Sequence, residues 1–195
     1  MIYKEYLKAS ERHLQACKCL MSRCLNNDKS TPKSFSKTSK SSDDKLSRHI
    51  KPKFVAPKYI LPEIYYLSGY VIECIVNYGL YYILGYDKQK DVKNLTEIEL
   101  YAYGYKHIIS YGSHIRGHDF QHNLKIIRSY IKGNWPNSNK FLDSIWGQTK
   151  TSAFQNWNVN VRYEELALTE KDIQDFFQLS EQIYTEIRNA LQNYK

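Results

Sequence analysis

The most informative chemical group in this sequence is a carboxylate inside an apolar segment. Residues 60–84 are apolar on nearly every side of the helix that they predict, and Glu73 lies at its middle. A carboxylate in such surroundings must be paired, hydrogen-bonded or protonated. Two interpretations follow. Glu73 either forms a structural ion pair between helices, or it lines a cleft where it orients a nucleotide or a partner arginine such as Arg162.

A second set of candidate residues is a group of histidines: His107, His114, His118 and His122. The last three are four residues apart, which on one continuous helix would stack them on one face and would suit a transition metal. However, Gly112 and Gly117 interrupt the segment, and no suitably spaced Cys or Glu completes a ligand set. The sequence therefore favours surface or capping histidines, and we expect no metal and no other cofactor.

Arg116 and His122 are separated by five residues, the kind of pair that a nuclease without a metal requires. Histidine exchanges protons near neutral pH, and arginine holds the phosphate and stabilises the charge of the transition state. A basic chain that contains histidines also produces such a pair by chance. Whether the protein is an enzyme stays open, and a metal-independent endoribonuclease is the activity that this pair would support.

The length and charge of the chain indicate one domain that attracts anionic partners. Its 195 residues carry a formal net charge of +8 and predict a single domain over 1–195. Residues 26–58 are rich in Ser and Lys and have almost nothing to bury, which predicts a flexible insertion. This insertion is either a solvated loop or a basic arm that meets phosphate backbones.

Segment 60–84 is long enough to cross a bilayer, but its polar residues argue against a membrane span. Glu73 lies where a charge in lipid is costly, and the tyrosines are spread along the segment, although membrane tyrosines gather at the two interfaces. The N-terminus lacks the apolar stretch of a signal peptide. We therefore expect a cytoplasmic protein without a membrane partner, whose four cysteines are reduced.

Hydrophobic periodicity and capping residues predict an all-α protein, an up-and-down antiparallel bundle of about five to six helices. Asp119 is placed to cap the fourth helix, and Thr169 with Asp172 to cap the last. Residues 147–161 show no helical or strand periodicity and predict irregular structure. The predicted helices cover residues 2–25, 60–84, 96–111, 120–131, 139–146 and 170–191.

Three short segments carry a family resemblance. Residues 67–74 read Leu-Ser-Gly-Tyr-Val-Ile-Glu-Cys, residues 117–120 read Gly-His-Asp-Phe, and residues 162–163 read Arg-Tyr. In the same order, they resemble the Leu-Ala-Gly-Tyr-Ala-Ile-Glu-Cys segment, the Gly-His-Asp-Leu turn and the Arg-Tyr pair of the HEPN family (higher eukaryotes and prokaryotes nucleotide-binding). The resemblance covers most of the chain outside residues 26–58. It departs at Asn77, where the family often has lysine.

The resemblance implies a homodimeric helical domain that binds nucleotides or RNA. It also implies a small nucleotidyltransferase as partner, or a role in a toxin–antitoxin or defence module. Two alternatives stay open: an endoribonuclease toxin that uses Arg116 and His122, and a non-catalytic oligomerisation scaffold whose tyrosines pack against a sister chain. The ligand-binding residues that the resemblance implies share one cleft between helices: Glu73, His118, Asp119, Arg162 and Tyr163.

Overall fold

The protein is all-α. The computed structural model describes residues 2–26, 60–83, 89, 118–134, 145–161 and 167–192, and within these ranges it contains helices and no strand. A further helical turn covers residues 145–148. The prediction of fold class is therefore confirmed. The helices are α1 (Lys4–Asn26), α2 (Ile60–Ile83), α3 (Phe120–Asn134), α4 (Ser152–Gln155) and α5 (Glu170–Gln192).

The helices begin where side chains satisfy the first free backbone N–H groups. Asp119 Oδ1 accepts a hydrogen bond from the backbone N–H of His122 at 2.9 Å, which caps α3. At α5, the N–H of Asp172 donates to Thr169 Oγ1 at 3.2 Å, and the N–H of Thr169 donates back to Asp172 Oδ2 at 2.9 Å. This reciprocal pair is a capping box with Asp in place of Glu. Both predicted caps are present.

The segment predicted to be irregular contains one short helix. Thr151 caps α4 by accepting a hydrogen bond from the N–H of Phe154, and Phe154 is buried. A single turn shows no helical periodicity in the sequence, which is why the prediction for residues 147–161 was wrong there. The predicted helix at 96–111, nearly all of the Ser/Lys-rich insertion and most of the predicted helix at 139–146 lie outside the described residues.

Helix α2 is the centre of the fold. Its residues 71–77 are buried without interruption for almost two turns, so other parts of the chain cover α2 on every side. The central helix predicted from the sequence is thus confirmed. Among the helices that the structure describes, none is long and apolar enough to cross a bilayer.

Helix α1 packs antiparallel to α2. The rings of Tyr3 and Tyr78 lie 5.7 Å apart at one end of the pair, and Cys17 Sγ lies 3.7 Å from Ser68 Oγ towards the other. Between these points Ser10 Oγ donates to the carbonyl of Val71 at 2.8 Å. Residue numbers therefore fall along α2 as they rise along α1, which agrees with the expectation of antiparallel neighbours.

Helices α3 and α5 run parallel to α2, which differs from that expectation. His118, just before α3, contacts Glu73, and further along α3 Asn123 contacts Asn77. Two contacts show the same direction for α5: the ring of Tyr65 with that of Phe176, and the Cβ position of Gly79 with Ile187. The physical reason is connection length. The segments that precede α3 and α5 are long enough for the chain to return before each helix starts.

One close approach between α2 and residue 157 depends on a glycine. The indole of Trp157 lies directly on Gly69, and a Cβ built there would be 1.8 Å from Cε2 of the indole. Trp157 is 4% exposed and packs its ring 5.0 Å from that of Phe120. The missing side chain of Gly69 therefore makes the space in which the indole lies against α2.

We expect Gly69→Ala to lower the free energy of unfolding by about 1–3 kcal/mol, the usual cost of overfilling a packed core. The added methyl group forces the indole of Trp157 out of its position. Urea titration followed by circular dichroism measures the change. Gly147→Ala is the matched control, because a Cβ at Gly147 meets nothing within 4 Å. Equal stability of the two variants would contradict this packing.

Candidate functional site

The site is centred on Glu73, which α2 holds in the interior. Glu73 is 5% exposed, and its Oε1 lies 3.1 Å from Nδ1 of His118. The side chain of His118 is 68% exposed, because the residue lies in the turn before the cap of α3. The pair therefore joins a buried carboxylate to an imidazole at the surface.

The second oxygen of this carboxylate is unsatisfied. Oε2 of Glu73 is buried and has no hydrogen-bond partner among the described residues. Buried polar atoms without a partner are rare in native proteins, and an unpaired carboxylate oxygen is among the most costly. The arrangement thus offers a hydrogen-bond acceptor to any group that reaches it with an N–H or O–H.

The environment of Glu73 makes its ionisation less favourable than that of an exposed carboxyl group. Burial raises the pKa of Glu73 above its ordinary value, and the charge and hydrogen bond of His118 offset this only in part. Burial also raises the pKa of Cys74 to about 12, so that the adjacent thiol stays protonated and is a poor nucleophile. Burial raises the pKa of Tyr70 as well.

Aromatic rings lie beside the carboxylate along α2. Tyr70 is one turn before Glu73, and its ring contacts those of Tyr66 at 4.8 Å, Trp157 at 5.5 Å and His13 at 5.5 Å. The hydroxyl of Tyr66 donates to that of Tyr70 at 3.3 Å. Trp157 Nε1 is buried and has no hydrogen-bond partner within the described part of the chain. This side of α2 therefore combines half-buried tyrosines with one free acceptor and one free donor.

One turn further along, α2 and α3 are joined by a second polar contact. Nδ2 of Asn123 donates to Oδ1 of Asn77 at 2.9 Å, and both side chains are buried. Asn77 thus serves in the packing of α2 against α3. Nε2 of His122 is also buried and lacks a partner among the residues described. A general base must reach its substrate, and this nitrogen is not presented to solvent.

The structure brings only part of the predicted site together. Glu73 and His118 are in contact, whereas Asp119 uses its carboxylate to cap α3. Arg116, Arg162 and Tyr163 lie outside the described residues. The sequence analysis did not predict that Trp157 and the other rings in contact with Tyr70 lie beside Glu73. The signal for this was a tryptophan in a segment without helical periodicity.

No metal centre is visible in the described ranges, where no three His, Cys, Asp or Glu side chains lie close enough to share an ion. No family model matches this chain, and neither a curated protein nor a solved structure does so. Fold and site therefore define an all-α protein in which a buried carboxylate has a hydrogen-bond partner for one of its two oxygens among the described residues.

We expect Glu73→Gln to raise the free energy of unfolding at pH 7 by about 0.5–2 kcal/mol, because it removes a charge that burial disfavours. The variant should also flatten the dependence on pH. Between the ordinary pKa of Glu and the raised pKa of Glu73, the folded chain holds a proton that the unfolded chain has released. Wild-type stability thus falls as pH rises through this window.

Urea titrations between pH 4 and pH 8 measure both effects. Glu186→Gln on α5 removes one carboxylate elsewhere and serves as the control. A Glu73→Gln variant that is less stable than wild type at pH 7 would show that the charged carboxylate is stabilised in the fold, against this prediction.

Proposed function

We propose that this chain is a HEPN-type helical protein that binds a nucleotide or RNA without acting on it. The observation that carries the proposal is the buried carboxylate of Glu73, which has one oxygen on His118 and the other without a hydrogen-bond partner among the described residues. A group retained at such a cost to stability is typical of a binding site. The HEPN resemblance, whose most specific segment contains Glu73, independently points to the same residue.

The chemistry of the site suits a nucleotide. An ionised carboxylate only accepts hydrogen bonds, and Oε2 of Glu73 would accept one from an exocyclic amino group or a ribose hydroxyl. Such a bond stabilises the charged form and offsets part of the cost of burial. His118, exposed at the rim, would contact a phosphate when it is protonated. The net charge of +8 favours the approach of polyanions.

The neighbouring rings supply a surface for stacking. Tyr66 and Tyr70 are half-buried, and Tyr70 lies one turn before Glu73 on α2. Bases stack on aromatic side chains with about 1–3 kcal/mol per base, largely without regard to sequence. Stacking on a tyrosine together with one hydrogen bond to Glu73 would hold a single base.

The resemblance also supplies proposals about partners. A homodimer in the cytoplasm, a small nucleotidyltransferase as partner and a role in a toxin–antitoxin or defence module are the expectations that follow from it. Light scattering of the purified chain measures its mass in solution. Co-purification with a nucleotidyltransferase encoded by an adjacent gene tests the partner.

We expect the wild type to bind at least one of AMP, GMP, CMP, UMP or a short single-stranded RNA. Glu73→Gln should weaken this binding by about tenfold, because a charge-assisted hydrogen bond becomes a neutral one. Calorimetry measures the mononucleotides, and fluorescence polarisation measures the labelled RNA. Glu186→Gln is the control and should leave the affinity unchanged.

Two results would overturn the proposal: no binding of any of these probes by the wild type, or equal affinity in Glu73→Gln and the wild type. The RNA should also remain intact in EDTA. Cleavage that persists in EDTA and is lost in His122→Ala would favour the endoribonuclease alternative instead.

The contribution of stacking is tested separately at Tyr70. We expect Tyr70→Phe to bind the same probe within about twofold of the wild type, because the ring remains, and Tyr70→Leu to bind about tenfold more weakly. Circular dichroism confirms that both variants fold. If Tyr70→Leu binds as well as Tyr70→Phe, the ring takes no part in binding.

A further inference from the structure

A concave region lies between α1 and α5. Both helices pack on α2, and the space between them forms a cleft of about 950 Å³. This volume is at the upper end of the range for small-molecule sites. The cleft has mixed charge, and the residues that line it are Glu5, Lys8, Ala9, Glu11, Arg12, Leu14, Gln15, Lys18, Glu181, Tyr184, Thr185 and Arg188.

A hydrogen-bonded bridge crosses the floor of this cleft. Tyr184 is 6% exposed, and its hydroxyl donates to Oε1 of Glu11 at 3.0 Å and accepts from Nη1 of Arg188 at 3.0 Å. Nη1 of Arg188 also lies 3.5 Å from Oε1 of Glu11. Both contacts of Arg188 engage Nη1, and a guanidinium carries five N–H donors. The bridge therefore holds a cation in place on the α5 wall.

Two of the three acidic residues of the cleft are neutralised by partners across it. Glu11 pairs with Arg188, and Glu181 pairs with Lys18 at 2.6 Å. Glu5 remains at the end of the cleft nearest the start of α1. Lys8 and Arg12 are exposed, and neither forms an ion pair among the described residues. The unneutralised charge on the α1 wall is therefore positive.

The free cations form a row along α1. Lys4, Lys8 and Arg12 are exposed and four residues apart, so neighbours lie on the same side of the helix. Four residues of an α-helix rise by about 6 Å. This spacing is close to that of successive phosphates along a flexible chain. Arg188 faces the row from the opposite wall.

We propose that the cleft between α1 and α5 is an anion site for a ligand that carries two or more phosphate groups. Lys8 and Arg12 each contact one phosphate, and the guanidinium of Arg188 completes the site from α5. The ligand is either a small polyphosphate or the backbone of a nucleic-acid strand, since both present the same charged oxygens. This site is separate from Glu73, and it does not depend on the function proposed above.

The test compares two variants of equal net charge. Lys8→Gln with Arg12→Gln removes the two cations of the cleft that form no ion pair among the described residues, whereas Lys150→Gln with Lys171→Gln removes two exposed cations elsewhere. We expect the wild type and the control to bind inorganic tripolyphosphate within about twofold of each other, and the cleft variant to bind at least about tenfold more weakly. Calorimetry measures this affinity.

A short abasic oligonucleotide, which has the phosphodiester chain without bases, distinguishes the source of the phosphates. If the strand is the ligand, the cleft variant should reduce the slope of log affinity against log salt by about 1.4, or about 0.7 per phosphate contact. Binding of tripolyphosphate alone identifies a small ligand, and binding of the abasic strand alone identifies a nucleic acid.

Two outcomes would overturn the proposal. Equal weakening in the cleft variant and the control would show an effect of net charge only, and failure of the wild type to bind either probe would show that there is no anion site. Neither outcome affects the mononucleotide result at Glu73, because the two experiments use different variants and different ligands.

Discussion

The enclosure of α2 on every side is the constraint on which the rest of the structure depends. Because residues 71–77 are buried continuously, each polar side chain on this helix needs a partner from another helix. Ser68 meets Cys17 of α1, and Asn77 meets Asn123 of α3. Buried polar contacts are directional, whereas apolar packing is not, so these pairs select one register among the several that the core would allow.

Glu73 meets this requirement for only one of its two carboxylate oxygens. His118 satisfies one oxygen of the carboxylate, and the other is unsatisfied among the described residues. An apolar side chain of similar size would cost less in this position. In the function proposed here, stability and binding make opposite demands on this side chain, and a ligand that donates a hydrogen bond to Oε2 would satisfy both. The cleft between α1 and α5 differs, because its charged groups stand at the surface and its one buried hydroxyl is fully used.

Local sequence signals predicted the helices well and the site only in part. The starts of α3 and α5 were predictable from Asp119 and Thr169, because a cap acts within one turn. The burial of Glu73 was predictable because apolar residues surround it on its own helix. The contact of Trp157 with Gly69 was not predictable, because Trp157 lies in a segment whose sequence has no periodic pattern. The indole of Trp157 fills the space beside Gly69, and only the folded chain shows this contact.

The sequence by itself determined that α1, α2, α3 and α5 are helical, where several of them begin, and that a carboxylate lies within the most apolar one. These properties depend on interactions within a few residues. The tertiary structure alone decided that α3 and α5 run parallel to α2 and that α1 and α5 leave a charged cleft between them. Such properties depend on contacts between residues far apart in sequence, and helical periodicity is the same for either direction of packing.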